Sequence, residues 1–441
     1  MSVEDRDKAS PGNPAQPAAR RTLKHRLRNL PWFEGLPREV AVLSIVAFCV
    51  ALGFGIVAPA LPVFAKSFDV SATQASAVIS VFALARLLGA VPAGWMVDRL
   101  GERITLATGL AIVSVSSALA GLSTTYEQLL ALRGVGGFGS AMFTVSSMAL
   151  LLRVAAPEQR GRAAGAFQGG FLLGGVAGPA VGGIVTGISI RLPFFVYAGT
   201  LAIAVVVVIT MLAHTHLRDK DAALSTAADP DGDDSGAAAL LKALRERAYV
   251  TALVVNLGNG FTAFGLRSAL VPLFVVYSLG LNAGWAGYGL LAAALVQAFL
   301  LLPAGRMADT RGRKPALMIG TAATTVGFVV LGFTGNIPVF LVAMGILGAG
   351  SAFLGSAPAA VVGDITGGRR SGPIVAAYQM TSDVGAIIGP LVAGVIVDRT
   401  GSYEAGFLIG AGVVAVALVL ASTMPETLRR ATAATGQTAA S

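Results

Sequence analysis

Charged residues are scarce in this sequence, and so are cysteine and histidine. Only 12% of its 441 residues are Asp, Glu, Lys or Arg, about half the ~25% of an average soluble protein. The single cysteine, Cys49, excludes an intramolecular disulfide and a multi-cysteine metal site. His25, His214 and His216 lie outside the long apolar runs, so we expect no metal-binding histidine cluster. A chain of this length with so little polar surface is not expected to be a soluble protein.

Long apolar runs take the place of the missing polar surface. The chain is 55% hydrophobic and has a mean hydropathy of +0.74. A helix needs about 20 apolar residues to cross the hydrocarbon of a bilayer. The sequence therefore predicts an all-α integral membrane protein with twelve transmembrane helices. We predict these spans at 39–65, 75–97, 105–124, 128–152, 163–187, 193–213, 250–277, 285–305, 315–334, 337–361, 373–397 and 404–424.

The excess of positive charge predicts how the chain is oriented. The formal net charge is +9. With a cytoplasmic N-terminus, the cytoplasmic tails and loops contain 26 of the 32 Lys and Arg residues, and the outer loops contain three. This bias predicts a multi-pass protein of the cell membrane with both termini in the cytoplasm. The basic residues are expected to face anionic membrane lipid, and we expect no nucleic-acid partner.

The chain repeats itself at an offset of 211 residues. The Pro-Ala-Gly at 92–94 recurs at 303–305, and the Gly-Pro at 178–179 recurs at 389–390. Six spans per half give the halves parallel orientations, as in transporters whose two halves rock around a central site. The sequence predicts a basic cytoplasmic tail (1–38), a six-helix half (39–214), a flexible cytoplasmic linker (215–249), a second six-helix half (250–424) and a cytoplasmic tail (425–441).

Two loops contain the same charged motif. Residues 94–103 read Gly-Trp-Met-Val-Asp-Arg-Leu-Gly-Glu-Arg, and residues 305–314 read Gly-Arg-Met-Ala-Asp-Thr-Arg-Gly-Arg-Lys. The pattern resembles the signature of the major facilitator superfamily, and the resemblance covers about residues 39–424. It implies the major facilitator fold of two pseudo-symmetric halves, latched together on the cytoplasmic side by these loops. The latch residues implied are Gly94, Asp98, Arg99, Gly101, Arg103, Gly305, Asp309, Gly312 and Arg313.

Two observations qualify this latch. Glu102 stands where a basic residue is usual in the family, which is expected to weaken the latch or to change its charge partners. The alternative function of these charges is only to enforce topology.

Two further motifs resemble those of the twelve-span drug–proton antiporters. Residues 129–141, which contain Arg133, resemble the motif of helix 4, although a glutamine common at the Gly136 position is absent. Residues 174–183 resemble the antiporter motif of helix 5, which accompanies export in the family. Glycines at four-residue spacing permit close helix contact, and proline permits a bend. The alternative is ordinary packing of small residues. The residues concerned are Gly174, Gly178, Pro179, Gly182 and Gly183.

A few polar residues are predicted inside the spans. No acidic residue lies in the middle of helix 1, so Arg133 is expected to use helix carbonyls, water or an anionic group of a substrate. In the family, helices 1, 4, 7 and 10 line the cavity. This resemblance makes Asn256, Asn259, Phe264 and Arg267 candidate substrate contacts, although each is equally able to pair within the bundle.

One carboxylate, Asp383, lies away from the ends of its span. A mid-membrane carboxylate is costly and is a functional candidate. At 1.5 Å per residue, Asp383 lies about 15 Å and Arg86 about 18 Å from the cytoplasmic end. Helices 2 and 11 pack together in the family, so we predict that Arg86 and Asp383 pair between the halves. The pair either couples proton uptake to their motion or is a static clamp.

The sequence gives no indication of catalysis. It contains no Walker loop, G-x-S-x-G or H-E-x-x-H motif, and its one dinucleotide-like glycine pattern, 134–139, lies inside a span. We therefore expect no enzyme, cofactor or metal site. The resemblance implies a monomeric transporter that exports a small, largely hydrophobic substrate in exchange for protons. The alternatives are a proton symporter that imports a nutrient or sugar, and a transporter-like sensor without flux.

Overall fold

In the part of the chain that the computed structural model describes, twelve helices are long and apolar enough to cross a membrane, which confirms the predicted architecture. The structure describes residues 36–156, 159–212, 236–366 and 372–428, and none of these forms a strand. Most of the basic tail and the acidic centre of the linker lie outside the described residues. The spans are α1 (Arg38–Val57), α2 (Ala72–Leu100), α3 (Glu102–Leu122), α4 (Tyr126–Val154), α5 (Arg160–Ile188), α6 (Leu192–Met211), α7 (Arg247–Tyr277), α8 (Gly284–Arg311), α9 (Arg313–Gly332), α10 (Ile337–Thr366), α11 (Pro373–Thr400) and α12 (Tyr403–Thr423).

Local sequence signals set the ends of these helices. Before α2, the Ser71 hydroxyl accepts a hydrogen bond from the Gln74 backbone N–H, and the Gln74 side chain accepts one from the Ser71 N–H. This reciprocal capping box satisfies two otherwise unpaired donors. Gly101 follows α2 with φ 82°, and Gly312 follows α8 with φ 118°. Because that backbone conformation favours glycine, the chain turns there within one residue into the next span.

Three segments differ from a plain succession of twelve helices. The first predicted span is interrupted after α1 and continues as a short helix, Leu61–Lys66. The α7 helix contains a π-helical segment, Gly260–Leu270. The predicted linker 215–249 is wrong at its C-terminal end, where Gly236–Ala243 is helical and α7 already begins at Arg247. The apolar Leu240 and Ala243 pack into the second half, which explains why this stretch is not a free linker.

The helices pack as two halves that meet along two helix pairs. Within the first half, α1 lies against α5 and α2 against α4. Between the halves, α2 lies against α11 and α5 against α8. On the outside of the bundle, Phe299 and Phe333 are 79% and 77% exposed, as expected for side chains that face lipid.

The two membrane faces differ in which helix ends they contain. Twelve spans are an even number, so α1 begins at the same face at which α12 ends. We call this the terminal face, and the other the opposite face. The α2 helix therefore runs from the opposite face to the terminal face, and α11 runs in the reverse direction.

Candidate functional site

A partly open cavity lies at the meeting of the two halves, with about 570 Å³ of empty space that includes its open side. Most of its lining is apolar and comes from α1 and α2, with Phe54 and Phe82 as its aromatic members. Ser268 and Ala386 line it from the second half. Two guanidinium groups, of Arg86 and Arg133, also line this cavity. The arrangement suits a largely apolar solute that offers a polar group to an arginine.

Arg133 is buried in this lining and is only 4% exposed. Its guanidinium carbon lies 4.3 Å from the centre of the Phe82 ring, a cation–π contact that partly offsets burial of the charge. Its Nε has no hydrogen-bond partner in the described part of the chain. Helix carbonyls, one of the predicted partners, are therefore not bonded to this nitrogen. Water and a polar group of a solute remain as partners.

Arg86 and Asp383 are in contact at the edge of the cavity. The Arg86 Nη2 donates to Asp383 Oδ1, and the two side chains are 32% and 26% exposed. Arg86 belongs to α2 of the first half and Asp383 to α11 of the second, so the ion pair crosses the interface between the halves. Partial exposure leaves the carboxylate accessible to a proton. Its role in proton coupling stays a prediction.

The candidate contacts on α7 divide between a second cavity and the bundle interior. Arg267 and Asn259 line a smaller cavity, of about 220 Å³, on the side of α9 and α10. Arg267 Nη1 also donates to Ser351 Oγ at 3.0 Å. Both residues thus lie away from the lining of the larger cavity. The Phe264 side chain lies outside the described residues.

Asn256 serves packing within the second half. It is 5% exposed, and its Nδ2 donates to the Tyr378 carbonyl at 2.7 Å and to Thr381 Oγ1 at 3.3 Å. These bonds join α7 to α11. Asn256 was predicted either to contact substrate or to pair within the bundle, and the structure shows the pairing.

The glycines of the helix 5 motif form the contact face between α5 and α1. A Cβ atom at Gly174, Gly178 or Gly182 would lie only 2.4 to 2.8 Å from a backbone carbonyl oxygen of α1. Pro179 is buried in the middle of α5. A Cβ at Gly183 would instead approach the Gly284 carbonyl of α8 at 3.0 Å. The motif therefore packs the first half internally and touches the second half at Gly183 and at the Pro179 carbonyl, which a Cβ at Gly287 of α8 would approach at 3.0 Å.

The latch residues after α8 form a network within the second half. Arg313 bonds Asp309 at 2.5 Å and Asp364 at 3.1 Å. Glu426 accepts hydrogen bonds from the backbone N–H groups of Arg313 and Lys314, at 2.8 and 3.0 Å. Negative charge is favourable at the N-terminus of α9, where these amides lie. The network ties the ends of α8, α9 and α10 to the chain that follows α12.

The first copy of the motif contains the same pair with its charges reversed. Glu102 is buried, and both of its carboxylate oxygens accept bonds from Arg153 Nη1 at 3.0 Å. Glu102 and Arg153 stand 211 residues before Arg313 and Asp364. The unusual glutamate has therefore changed its charge partner, one of the two outcomes expected for it.

The centre of the first copy is not engaged at the terminal face. Asp98 forms no hydrogen bond or ion pair with the described residues. A Cβ atom at Gly94 or Gly305 would meet no atom of the described part of the chain within 4 Å. Residues 367–371, directly before α11, lie outside the described residues. In this state the two halves are not held together by Asp98.

The two arginines of the first copy contact the first half. The Arg99 guanidinium carbon lies 4.0 Å from the centre of the Trp95 ring. Arg103 Nη2 donates to the Ile209 carbonyl on α6 at 2.8 Å.

The opposite face is held by a carboxylate that sequence reasoning passed over as lying near the end of its span. The Asp398 carboxylate accepts bonds from the backbone N–H groups of Ala72 and Thr73 at 2.8 and 2.9 Å, and from Thr73 Oγ1 at 2.5 Å. These bonds join the end of α11 to the start of α2. A signal for this contact was present in the sequence, because residues 394–401 repeat the pattern of residues 94–101.

Comparison with known proteins decides the family. The family model described as Major Facilitator Superfamily matches residues 43–295 and 253–440, which together are nearly the whole chain. The chain belongs to the major facilitator superfamily. It is a multi-pass membrane transporter, as its twelve apolar helices require.

This transporter is similar to characterised drug-resistance proteins. It is 24% identical to Multidrug resistance protein 1 of Bacillus subtilis over 397 residues, which cover 89% of this chain and 98% of that protein. It is 27% identical to Quinolone resistance protein NorA of Staphylococcus aureus over 241 residues, which cover 55% of this chain and 58% of NorA. Among solved structures, nucleoside transporter NupG matches with a TM-score of 0.67 and 16% identity, over 88% of this chain and 99% of NupG. The last match concerns the fold alone.

Proposed function

We propose that this transporter exports small hydrophobic compounds in exchange for protons. The ion pair of Arg86 and Asp383, which crosses the two halves at the edge of a largely apolar cavity, is the observation that carries the proposal. The names of the relatives, a multidrug resistance protein and a quinolone resistance protein, support the same class of substrate.

The proposed orientation places the terminal face in the cytoplasm of a cell with this protein in its plasma membrane. The support is the distribution of basic residues, 26 of 32 on that side, because positive loops remain cytoplasmic during insertion. The cavity then receives compounds from the cytoplasm or the inner leaflet. Protons that move inward down their gradient drive these compounds outward.

The ion pair supplies the proposed coupling step. While Asp383 is ionised, it binds the Arg86 guanidinium and holds α2 to α11 at mid-membrane depth. A proton on Asp383 removes the carboxylate charge and weakens that charge-assisted bond. Because the two residues belong to different halves, the proton changes the free-energy difference between arrangements of the halves. A conformational change coupled to a gradient needs a differential interaction of this kind.

The test is Asp383→Asn in inverted membrane vesicles, with norfloxacin and ethidium as transported probes. Coupling predicts that proton-driven accumulation disappears, while probe binding and energy-independent exchange survive. Asp69→Asn is the matched control, because it removes one carboxylate charge at the opposite face and φ 57° at that position suits asparagine.

Three other outcomes identify the alternatives. An Asp383→Asn protein that still concentrates the probes makes the pair a static clamp. Accumulation by the unaltered protein in right-side-out vesicles, with nutrients as probes, identifies a symporter. Binding without flux in either orientation identifies a sensor.

A further inference from the structure

The ends of α2 and α11 share a sequence pattern and a backbone conformation. Residues 94–101 and 394–401, 300 residues apart, both follow Gly-x-x-Val-Asp-Arg-x-Gly. Gly101 and Gly401 both have positive φ, at 82° and 70°. Each donates its N–H to the carbonyl of the valine four residues earlier, at 2.9 and 2.8 Å. The two segments are therefore copies of one helix-terminal structure, and they lie at opposite membrane faces.

The contacts between α2 and α11 follow one antiparallel register. Gly394 lies against Thr73, since a Cβ on it would come within 2.4 Å of the Thr73 Cα. Seven residues onward along α2 and seven back along α11, Ser80 Oγ donates to the Ile387 carbonyl at 2.7 Å. The Arg86–Asp383 ion pair continues this series.

Extending the register to the terminal face gives the partner of the other copy. Gly94 is 21 residues after Thr73 on α2, and Pro373 is 21 residues before Gly394 on α11. The register therefore pairs Gly94 with the start of α11 as it pairs Gly394 with the start of α2. The helix pair therefore has an approximate two-fold symmetry. Among the described residues, an aspartate bonds a helix start at the opposite-face end of the pair and not at the terminal-face end.

We infer that Asp398 is a positioning residue for alternating access, a second latch on the opposite face that engages when Asp98 is released. The inference rests on the proposed function only in assuming that the halves rock. The opposite-face latch consists of Gly394, Asp398 and the start of α2 at Ala72 and Thr73. The terminal-face latch consists of Gly94, Asp98 and the start of α11.

The bonds of Asp398 explain why its charge matters. Three donors at the start of α2 converge on one carboxylate, and a helix N-terminus favours negative charge. When the halves separate at this face, Asp398 loses all three partners at once. Asp98 is in that released condition at the terminal face, with no bond to the described residues.

The ion pair lies near the middle of the α2–α11 helix pair, between the two latches. Arg86 is 12 residues from Asp98 and 13 from Thr73, which is about 18 and 20 Å along the helix. The ion pair therefore lies between the two latches and belongs to neither of them.

The α5–α8 interface provides an internal comparison. Gly183 and Gly187 stand 211 residues before Gly394 and Asp398. Gly183 also packs against a helix start, at Gly284, but that start is capped by its own Asn282 side chain, whose Oδ1 accepts from the Gly284 N–H at 2.8 Å. Close packing at this face thus does not itself require a carboxylate. Asp398 adds a charged bond between the halves that packing alone does not supply.

The test measures the conformation of the full chain in lipid nanodiscs without substrate. Spin labels at Ser67→Cys and Thr400→Cys, in a Cys49→Ser background, report the separation of the halves at the opposite face. Asp398→Asn should raise the ratio of open to closed distances at that face about tenfold, because the amide has one acceptor oxygen fewer and no charge at the start of α2; tenfold corresponds to about 1.4 kcal/mol. Glu127→Gln should leave the ratio unchanged, since it removes one carboxylate charge from an exposed side chain in the first turn of α4, at the same face.

The terminal-face latch must respond with the opposite sign. Asp98→Asn should lower the open ratio at the opposite face, because it destabilises the alternative state. Gly394→Ala should raise the ratio through its clash with Thr73, whereas Gly94→Ala should lower it or leave it unchanged, because a Cβ there meets nothing in this state. The glycine variants keep the test decisive if Asp398→Asn fails to fold.

An unchanged distance distribution in Asp398→Asn, or a shift in the direction of Asp98→Asn, overturns the latch. The readout needs no substrate and no proton gradient. A protein that shows these shifts but moves no probe in vesicles contradicts the proposed function alone. A proton-driven exporter without the shifts contradicts the latch alone.

Discussion

The charge-reversed pair of Glu102 and Arg153 offers a sharp test of the repeat. In the second half the same two positions are Arg313 and Asp364, bonded at 3.1 Å. The double variant Glu102→Arg/Arg153→Asp therefore gives the first half the polarity of the second. We expect each single reversal to destabilise the protein strongly and the double reversal to restore most of the loss.

The structure sets the size of the effect. The side chains of Arg153 and Glu102 are 15% and 11% exposed, and removing one partner of a buried pair costs about 3 to 5 kcal/mol. A single reversal also brings two like charges together, so each should cost at least about 3 kcal/mol. Glu102 lies in the first turn of α3 and Arg153 in the last turn of α4, so exchanging the charges forfeits a favourable helix-dipole interaction of about 0.3 to 1 kcal/mol at each end. The double reversal should thus remain within about 2 kcal/mol of the unaltered protein.

Equilibrium unfolding by sodium dodecyl sulfate in mixed micelles measures these differences. The control is Arg306→Asp, an equal change of charge at an exposed arginine near the same face. If the double variant is as unstable as the single ones, the pair is not interchangeable, and the repeat does not extend to its electrostatics.

Three other predictions concern the cavity, the terminal-face latch and helix packing. Arg133→Lys should impair transport without abolishing insertion, because lysine lacks the planar fork of arginine, and full activity of Arg133→Ala in the vesicle assay would contradict this. Asp98→Asn should lower the maximal transport rate while substrate affinity stays within a few-fold; a loss of affinity at an unchanged maximal rate would refute it. Gly178→Ala should destabilise the protein by about 1 to 3 kcal/mol in the unfolding assay, because its Cβ would lie 2.6 Å from the Leu52 carbonyl oxygen, whereas Gly175→Ala, with nothing within 4 Å, should be neutral.

Local sequence was a good guide to the helices because the bilayer imposes a single length requirement on each of them. An apolar run bounded by charges has few alternatives once its backbone must be hydrogen-bonded in lipid. The same reasoning failed at residues 236–243, where a short apolar stretch beside an acidic segment appeared to belong to a linker. Its helix is explained by packing of Leu240 and Ala243 on the second half, a contact that has no local signature.

The depth of a residue along its helix was also predictable, whereas the direction in which its side chain points around the helix axis was not. The positions of Arg86 and Asp383 followed from counting residues, since each residue of a helix advances by a fixed rise. Asn256 and Arg267 lie on the same span, yet one bonds α11 and the other lines a cavity. Arg267 lies inside the π-helical segment Gly260–Leu270, which rotates its residues relative to a regular helix, so periodicity did not predict which way each side chain points.

The sequence by itself determined the twelve spans, the two-half repeat and the family signature, because hydrophobic length and motif spacing are local quantities. Only the tertiary structure showed which copies of a repeated motif are in use. Gly94–Asp98 and Gly394–Asp398 follow the same Gly-x-x-Val-Asp pattern, yet among the described residues the second segment has a partner in the other half and the first has none. The reason is physical: an aspartate binds a helix N-terminus only when the other half brings one within hydrogen-bond distance, and that depends on how the two halves are arranged.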